Sequence, residues 1–240
     1  MKHYGLIGKT LNHSFSPSYF NEKFKNEHID AVYELLEKES PAKLKDIPFQ
    51  EYSGLNVTIP YKTEIIALLD NLSYEAREIG AVNTIAINEN QLIGHNTDWI
   101  GFKESIEPLL IGSDRNALIF GTGGASKAVS FALNRLNISY ELVSRSMRPG
   151  IMHYDTLTPN KLAQYDILIN TTPVGTKNES EKLLPLHYEA LQSTMLVYDL
   201  VYNPRKTELL KRAELANCRI KSGYEMLEKQ AEASWKIWNQ

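Results

Sequence analysis

The stretch Ala117–Lys127, ALIFGTGGASK, decides how the rest of the chain is read. Four apolar residues, Ala117 to Phe120, run into Gly121-Thr122-Gly123-Gly124. The segment from Ala125 to Asn137 then carries Val129, Ala132, Leu133 and Leu136 at the i, i+3, i+4, i+7 spacing of a helix face. Buried strand, glycine turn and helix is the opening of a dinucleotide-binding βαβ unit. Glycines let the backbone turn tightly and approach a ligand, and the free N–H groups at the helix start favour a pyrophosphate. A glycine-rich turn after a strand can also be only a turn. The last glycine of the usual fingerprint is absent here, with Lys127 standing near its place, so the surrounding sequence has to decide.

Working outward, further near-continuous apolar runs lie at Tyr140–Val143, Asp166–Ile169 and Met195–Leu200, separated by helical patterns. Such runs predict parallel strands covered on both faces, in a βαβ rhythm. At the end of the second strand an NAD site usually places a carboxylate for the ribose hydroxyl. Here the sequence is Ser144-Arg145-Ser146-Met147-Arg148, two arginines among hydroxyls, which suits the 2′-phosphate of NADP. The plain alternative is a basic surface loop. Asn170-Thr171-Thr172-Pro173-Val174-Gly175 and Asp199–Pro204 follow later strands, at the edge where open α/β sheets bind ligands. Helices are predicted over Arg205–Asn217 and from Gly223 onward; the last carries Gln230 and is a candidate to return to the first domain.

In the N-terminal part, Tyr4–Gly8 and Ala31–Leu36 read as strands. Ser16-Pro17 reads as an N-cap and first helical residue, with Phe20 and Phe24 on one face. Ser14 and Ser16 could also bind a small anionic ligand. Gly54–Pro60 reads as a strand with Leu55, Val57 and Ile59 on an apolar face and Asn56 and Thr58 on a polar one. A helix is expected beyond Lys62, through Ile65 and Leu69. Lys62 is either a solvated lysine or a base or acid tuned by that helix start. Gly80–Ile85 opens a strand, followed by a hairpin around Asn88-Glu89-Asn90. Asp98 is on general grounds a cap for a helix starting at Trp99.

Composition agrees with a globular α/β chain. There are 240 residues, 42% hydrophobic and 23% charged, with a net charge of −3 that speaks against nucleic acid as the main partner. The single cysteine cannot form an internal disulfide, which fits a reducing, cytoplasmic setting. The N-terminus does not read as a signal peptide, and no membrane span or metal-ligand spacing is predicted.

Six elements in order resemble shikimate dehydrogenases: Ser14-x-Ser16-Pro17, Asn56-Val57-Thr58-Ile59-Pro60-x-Lys62, Gly80–Thr84, Asn96-Thr97-Asp98, Gly121-x-Gly123-Gly124-Ala125-Ser126 and Asn170-x-Thr172-Pro173-x-Gly175. The resemblance spans nearly the whole chain. It implies two α/β domains with a cleft between them: a substrate domain of residues 1–98 plus 223–240, and a Rossmann-like NADP domain of residues 99–222. It implies reversible reduction of 3-dehydroshikimate to shikimate by NADPH, in a monomer or homodimer. Lys62 and Asp98 would be the catalytic pair. Ser14, Ser16, Asn56, Thr58, Asn83, Gln230 and Tyr202 would bind substrate. Gly121, Gly123, Gly124, Ala125, Ser144, Arg145, Ser146, Arg148, Thr171, Thr172, Pro173, Leu200 and Gly223 would bind cofactor. A quinate/shikimate dehydrogenase of broader substrate or NAD use, and a non-catalytic ligand-sensing relative, are the alternatives. Two positions depart from the family pattern: Glu225 replaces a glycine near the last helix start, and Arg148 comes one residue early.

Overall fold

The computed structural model describes residues 1–12, 14–177 and 181–240. The chain divides into two compact units, Met1–Ile100 with Glu228–Gln240, and Gly101–Leu227.

The first unit begins with β1 (Lys2–Gly8), α1 (Phe15–Asn26), β2 (Ala31–Glu37) and β3 (Gly54–Val57). It continues with β4 (Asn71–Leu72), α2 (Tyr74–Ile79), β5 (Thr84–Asn88) and β6 (Gln91–His95), and the start of α3 (Asp98–Ile106). Its sheet has the order β2-β1-β3-β5-β6-β4. β1 pairs in parallel with β2 and β3, whereas β5 is antiparallel to both β3 and β6, so the sheet is mixed. Alternation along β1 feeds two cores: Tyr4 and Leu6 join Phe20, Phe24 and Trp238 on one face, and Ile7 joins Leu55, Val57 and Tyr61 on the other. β5 and β6 form the expected hairpin, with Glu89 and Asn90 at positive φ in its turn.

The second unit contains β7 (Asn116–Phe120), α4 (Gly124–Arg135), β8 (Ser139–Ser144), β9 (Met152–His153), α5 (Pro159–Leu162), β10 (Ile167–Asn170), β11 (Leu196–Asp199), α6 (Glu208–Leu215) and β12 (Arg219–Ser222). Every pairing is parallel, in the order β12-β11-β10-β7-β8-β9. This is a doubly wound sheet whose chain direction reverses at β7, between β8 and β10, and ligands of such sheets bind outside the strand ends at that reversal. β7, β10 and β11 are buried almost throughout, as their apolar runs predict, but β8 alternates and is only partly covered. α7 (Tyr224–Trp238) closes the chain, and its residues from Glu228 onward belong to the first unit.

Several local expectations are corrected. The helix start moves back two residues: Ser14 is the N-cap of α1, and Ser16 lies inside the helix, buried. β3 ends at Val57, and Ile59 is 73% exposed instead of joining the apolar face. Beyond Lys62 there is only a five-residue 3-10 turn, Glu64–Leu68, so the helix dipole expected beside that lysine is not built. Gly80 does not open a strand; it ends α2 in the left-handed conformation.

Candidate active site

In the first unit the catalytic candidates converge. The Lys62 Nζ lies 2.6 Å from Asp98 Oδ2, and both side chains are largely shielded from solvent. The segment carrying Lys62 is tied down by its own carbonyl, which accepts the Val82 N–H at 2.7 Å. One residue on, the Asn83 amide donates to Asp98 Oδ1 at 2.8 Å and to the Thr97 hydroxyl at 2.9 Å. Asn83 Oδ1 in turn accepts the Thr97 N–H at 2.6 Å. Asp98 is thus held by a lysine on one oxygen and an amide on the other.

Asp98 does not cap its own helix, contrary to the general expectation. Asn96 does that work: its Oδ1 accepts the N–H groups of Asp98 and Trp99 at 3.1 and 3.4 Å. One otherwise orphaned turn of N–H groups is served by a neutral amide. The carboxylate is left to face Lys62.

Asn56 is tied into the same network. It is buried, and its Oδ1 accepts the Tyr33 hydroxyl at 2.7 Å. Its amide faces the Asn83 carbonyl at 3.1 Å, Thr84 Oγ1 at 3.2 Å and Ser234 Oγ at 3.0 Å. The period-two reading holds as far as Val57, and in this structure the polar atoms of the Asn56 amide are hydrogen-bonded within the unit, in part to α7. The Asn83 amide, likewise buried, has three acceptors for its two protons, with Gln230 Oε1 the third at 3.3 Å. Both amides are hydrogen-bonded within the unit.

Ser14 makes no capping bond with its side chain, and Ser16 is buried within α1. Thr58 follows β3, its N–H held by the Ile7 carbonyl at 2.8 Å. Ser234 has no counterpart in the sequence reading. Its hydroxyl is wholly buried among Asn56, Thr84 and Thr97 and donates to the Gln230 carbonyl at 2.9 Å. Its position four residues beyond Gln230, on the same helix face, was the available signal.

In the second unit the cofactor candidates gather at the strand ends. Gly121 has φ +112°, and a Cβ there would meet Thr171 Oγ1 at 2.6 Å, so this turn has to be glycine. A Cβ at Gly123 would meet no atom within 4 Å. Gly123 is the N-cap of α4 without a side-chain cap, and Gly124 and Ala125 begin that helix, so their N–H groups are those that favour an anion. Thr171 is pinned by its N–H and hydroxyl to the Phe120 carbonyl, and Thr172 by the same two groups to Asn170 Oδ1; Pro173 is exposed beside them. Leu200 and Gly223 meet backbone to backbone: a Cβ on Gly223 would lie 2.1 Å from the Leu200 carbonyl oxygen. Tyr202, half-buried, belongs to this unit, its hydroxyl pKa raised by burial.

Asp199, completely buried at the end of β11, joins these loops. It accepts the Asn170 amide at 2.9 Å, the Val201 N–H at 3.0 Å and the Thr207 hydroxyl at 2.5 Å. Burial pushes its pKa up to about 6, against the lowering effect of those bonds. Arg145, Ser146 and Arg148 are exposed after β8, and Ser144 Oγ accepts the Ser146 N–H at 3.1 Å. Glu225, the departure at the last helix, is ion-paired with Lys221 of β12.

Comparison with known proteins gives the family of the chain. Residues 6–85 match the model of the shikimate dehydrogenase substrate-binding domain. A protein of Pyrococcus abyssi named shikimate dehydrogenase (NADP(+)) is 41% identical over 99% of this chain and 92% of its own length. The chain belongs to the shikimate dehydrogenase family. Within it, a shikimate dehydrogenase solved in complex with NADP+ superposes with a TM-score of 0.89 at 34% identity, covering 99% of this chain and 90% of that one. A quinate dehydrogenase from Corynebacterium glutamicum, solved in complex with NAD, has a TM-score of 0.88 at 26% identity, covering 99% and 93%. The fold is thus shared by proteins named for different substrates and cofactors, and choice between them has to come from individual residues. Among the described residues no helix is long and apolar enough to cross a membrane, and no group of three or more His, Cys, Asp or Glu side chains could hold a metal.

Proposed function

We propose that this chain catalyses the reversible reduction of 3-dehydroshikimate to shikimate with NADPH, using Lys62 and Asp98 as a coupled acid/base pair. The observation that carries the reading is the 2.6 Å contact between Lys62 Nζ and Asp98 Oδ2 beside the Asn83 brace. A pure ligand-sensing module has no need of a buried lysine–carboxylate pair.

NADPH supplies the hydride when bound. The residues present suit it. Gly121, Gly123, Gly124 and Ala125 offer the turn and helix start for the pyrophosphate, and Thr171, Thr172 and Pro173 border that turn across the β7–β10 edge. Ser144, Arg145, Ser146 and Arg148 offer charge and hydroxyls for the 2′-phosphate, with no carboxylate among them to favour NAD. Leu200 and Gly223 form a close-packed backbone pair for the nicotinamide end, and Tyr202 is the substrate contact from this unit.

Reduction of a ketone places negative charge on its oxygen, which has to receive a proton. The Lys62 ammonium donates that proton and holds the charge near it. Asp98, 2.6 Å away, keeps Lys62 in position, so the two act as one dyad. In the reverse direction the dyad accepts the hydroxyl proton. Ser14 and Ser16 bind the substrate carboxylate, and Asn56, Thr58, Asn83 and Gln230 bind ring hydroxyls, the two asparagines also bracing the site through their internal hydrogen bonds.

The test is Lys62→Ala. Turnover should fall by about 10²-fold or more, while shikimate binding measured by calorimetry weakens far less. Turnover kept within a few-fold would remove the dyad assignment.

A further inference from the structure

His153, which no motif singles out, holds the basic loop after β8 in place. It is the last residue of β9 and sits in register beside Ser144, the last residue of β8. Its Nε2 lies 3.0 Å from the carbonyl oxygen of Arg145, and its Nδ1 lies 3.3 Å from the Asp155 N–H. An amide N–H can only donate and a carbonyl can only accept. The two contacts are therefore satisfied together by an imidazole carrying its proton on Nε2 and accepting at Nδ1. Nδ1 is also 3.3 Å from Asp155 Oδ2, so a protonated ring still donates from Nε2 to the same carbonyl.

The loop is short, exposed and polar, and such a segment samples many conformations unless tied down. Two ties flank Arg145: the Ser144 hydroxyl takes the Ser146 N–H, and the His153 ring takes the Arg145 carbonyl. His153 also lines, with Met147, Arg148 and Met152, a pocket of about 460 Å³. That is within the size range of small-ligand sites. One imidazole thus fixes the peptide of one arginine and forms a wall beside the other.

We propose that His153 is a specificity-determining positioning residue: by anchoring the Arg145 peptide it keeps the arginines pre-arranged for a ribose phosphate, and so sets the preference for NADP over NAD. The inference rests on the reading of Arg145 as a 2′-phosphate ligand. Its physical basis is that a group ordered before binding loses less entropy on binding. The benefit goes only to a cofactor that carries the phosphate. A general loosening of the fold would lower use of both cofactors alike.

The test compares His153→Phe, which keeps a ring of similar bulk but has no donor, with His153→Gln, whose amide can still donate to the carbonyl. For each variant kcat/KM is measured with NADP and with NAD at saturating shikimate, alongside Arg145→Ala. His153→Phe should lower the NADP-to-NAD ratio about threefold to tenfold, the worth of one hydrogen bond, through KM for NADP with the NAD value held. His153→Gln should retain most of the ratio. An unchanged ratio in His153→Phe, with a fall in Arg145→Ala, overturns the role of His153 and leaves the cofactor reading standing. An equal fall in the Phe and Gln variants shows that the hydrogen bond is not the cause, and overturns it too. No change in any variant, Arg145→Ala included, overturns the 2′-phosphate reading itself.

Discussion

Asn96 caps the helix in which Asp98 is the first residue, its Oδ1 accepting the Asp98 N–H at 3.1 Å. The commonest duty of an aspartate at a helix start is thereby taken by its neighbour, and Asp98 is left with Lys62 on one oxygen and Asn83 on the other. Asn96→Ala should leave the N–H groups short of an acceptor, costing about 1 kcal/mol of stability. It should also reduce kcat more than KM as Asp98 turns back to cap the helix. Thermal unfolding with steady-state kinetics checks both; a loss of stability without a loss of kcat would mean that Asp98 keeps its place unaided.

Asn83→Ala removes the amide from Asp98 and leaves one carboxylate oxygen without its donor. Charge-assisted hydrogen bonds contribute about 1.5–3 kcal/mol, so kcat/KM for shikimate should fall roughly tenfold to a hundredfold. Dissociation of NADP, followed by fluorescence, should be unchanged, since Asn83 belongs to the other unit. Equal losses in cofactor and substrate terms would indicate general damage.

Asn56→Ala is expected to act through the fold. It strands the buried Tyr33 hydroxyl and removes one of the several partners of the buried Ser234 hydroxyl. A cost of about 2 kcal/mol follows from leaving such groups unpaired, read as a lowered Tm. A variant with native Tm and a raised KM for shikimate would mean that Asn56 acts through substrate contact alone.

Asp199 gives a pH dependence with a definite sign. Its pKa in the fold is raised to about 6, above the ordinary value of 3.8, mainly by burial. The folded state therefore binds its proton more tightly than the unfolded chain does. From this group, stability is greatest below about pH 4, falls as pH rises towards 6, and stays at the lower level above that. The difference is at most about 3 kcal/mol. Asp199→Asn should flatten that part of the stability–pH curve in denaturant titrations. A curve of unchanged shape would show that Asp199 is not the group concerned.

The parts of the fold legible in the sequence are those whose cause is local. The strand, turn and helix from Ala117 onward, the hairpin at Glu89-Asn90 and the buried runs of the second sheet depend on spacing within a few residues. What was not legible depends on distant cover. Asn56 alternates correctly along β3, yet only α7, more than 170 residues later, makes its face an interior one. Ser234 is an ordinary helix serine until Thr84 and Thr97 are placed around it. β12 reads Arg219-Ile220-Lys221-Ser222 and lacks an apolar run because it is an edge strand, paired only with β11. The short turn after Lys62 has good helical spacing but forms only a 3-10 turn, ended where Asp70 and Leu92 exchange hydrogen bonds.

The most direct test of the central claim is absorbance of reduced nicotinamide with purified protein, shikimate and NADP, repeated with NAD and with quinate. Shikimate with NADP should give a rise that exceeds every other pairing and is abolished in Lys62→Ala. A folded protein that binds shikimate but gives no rise with any pairing, or a larger rise with quinate and NAD, would contradict it.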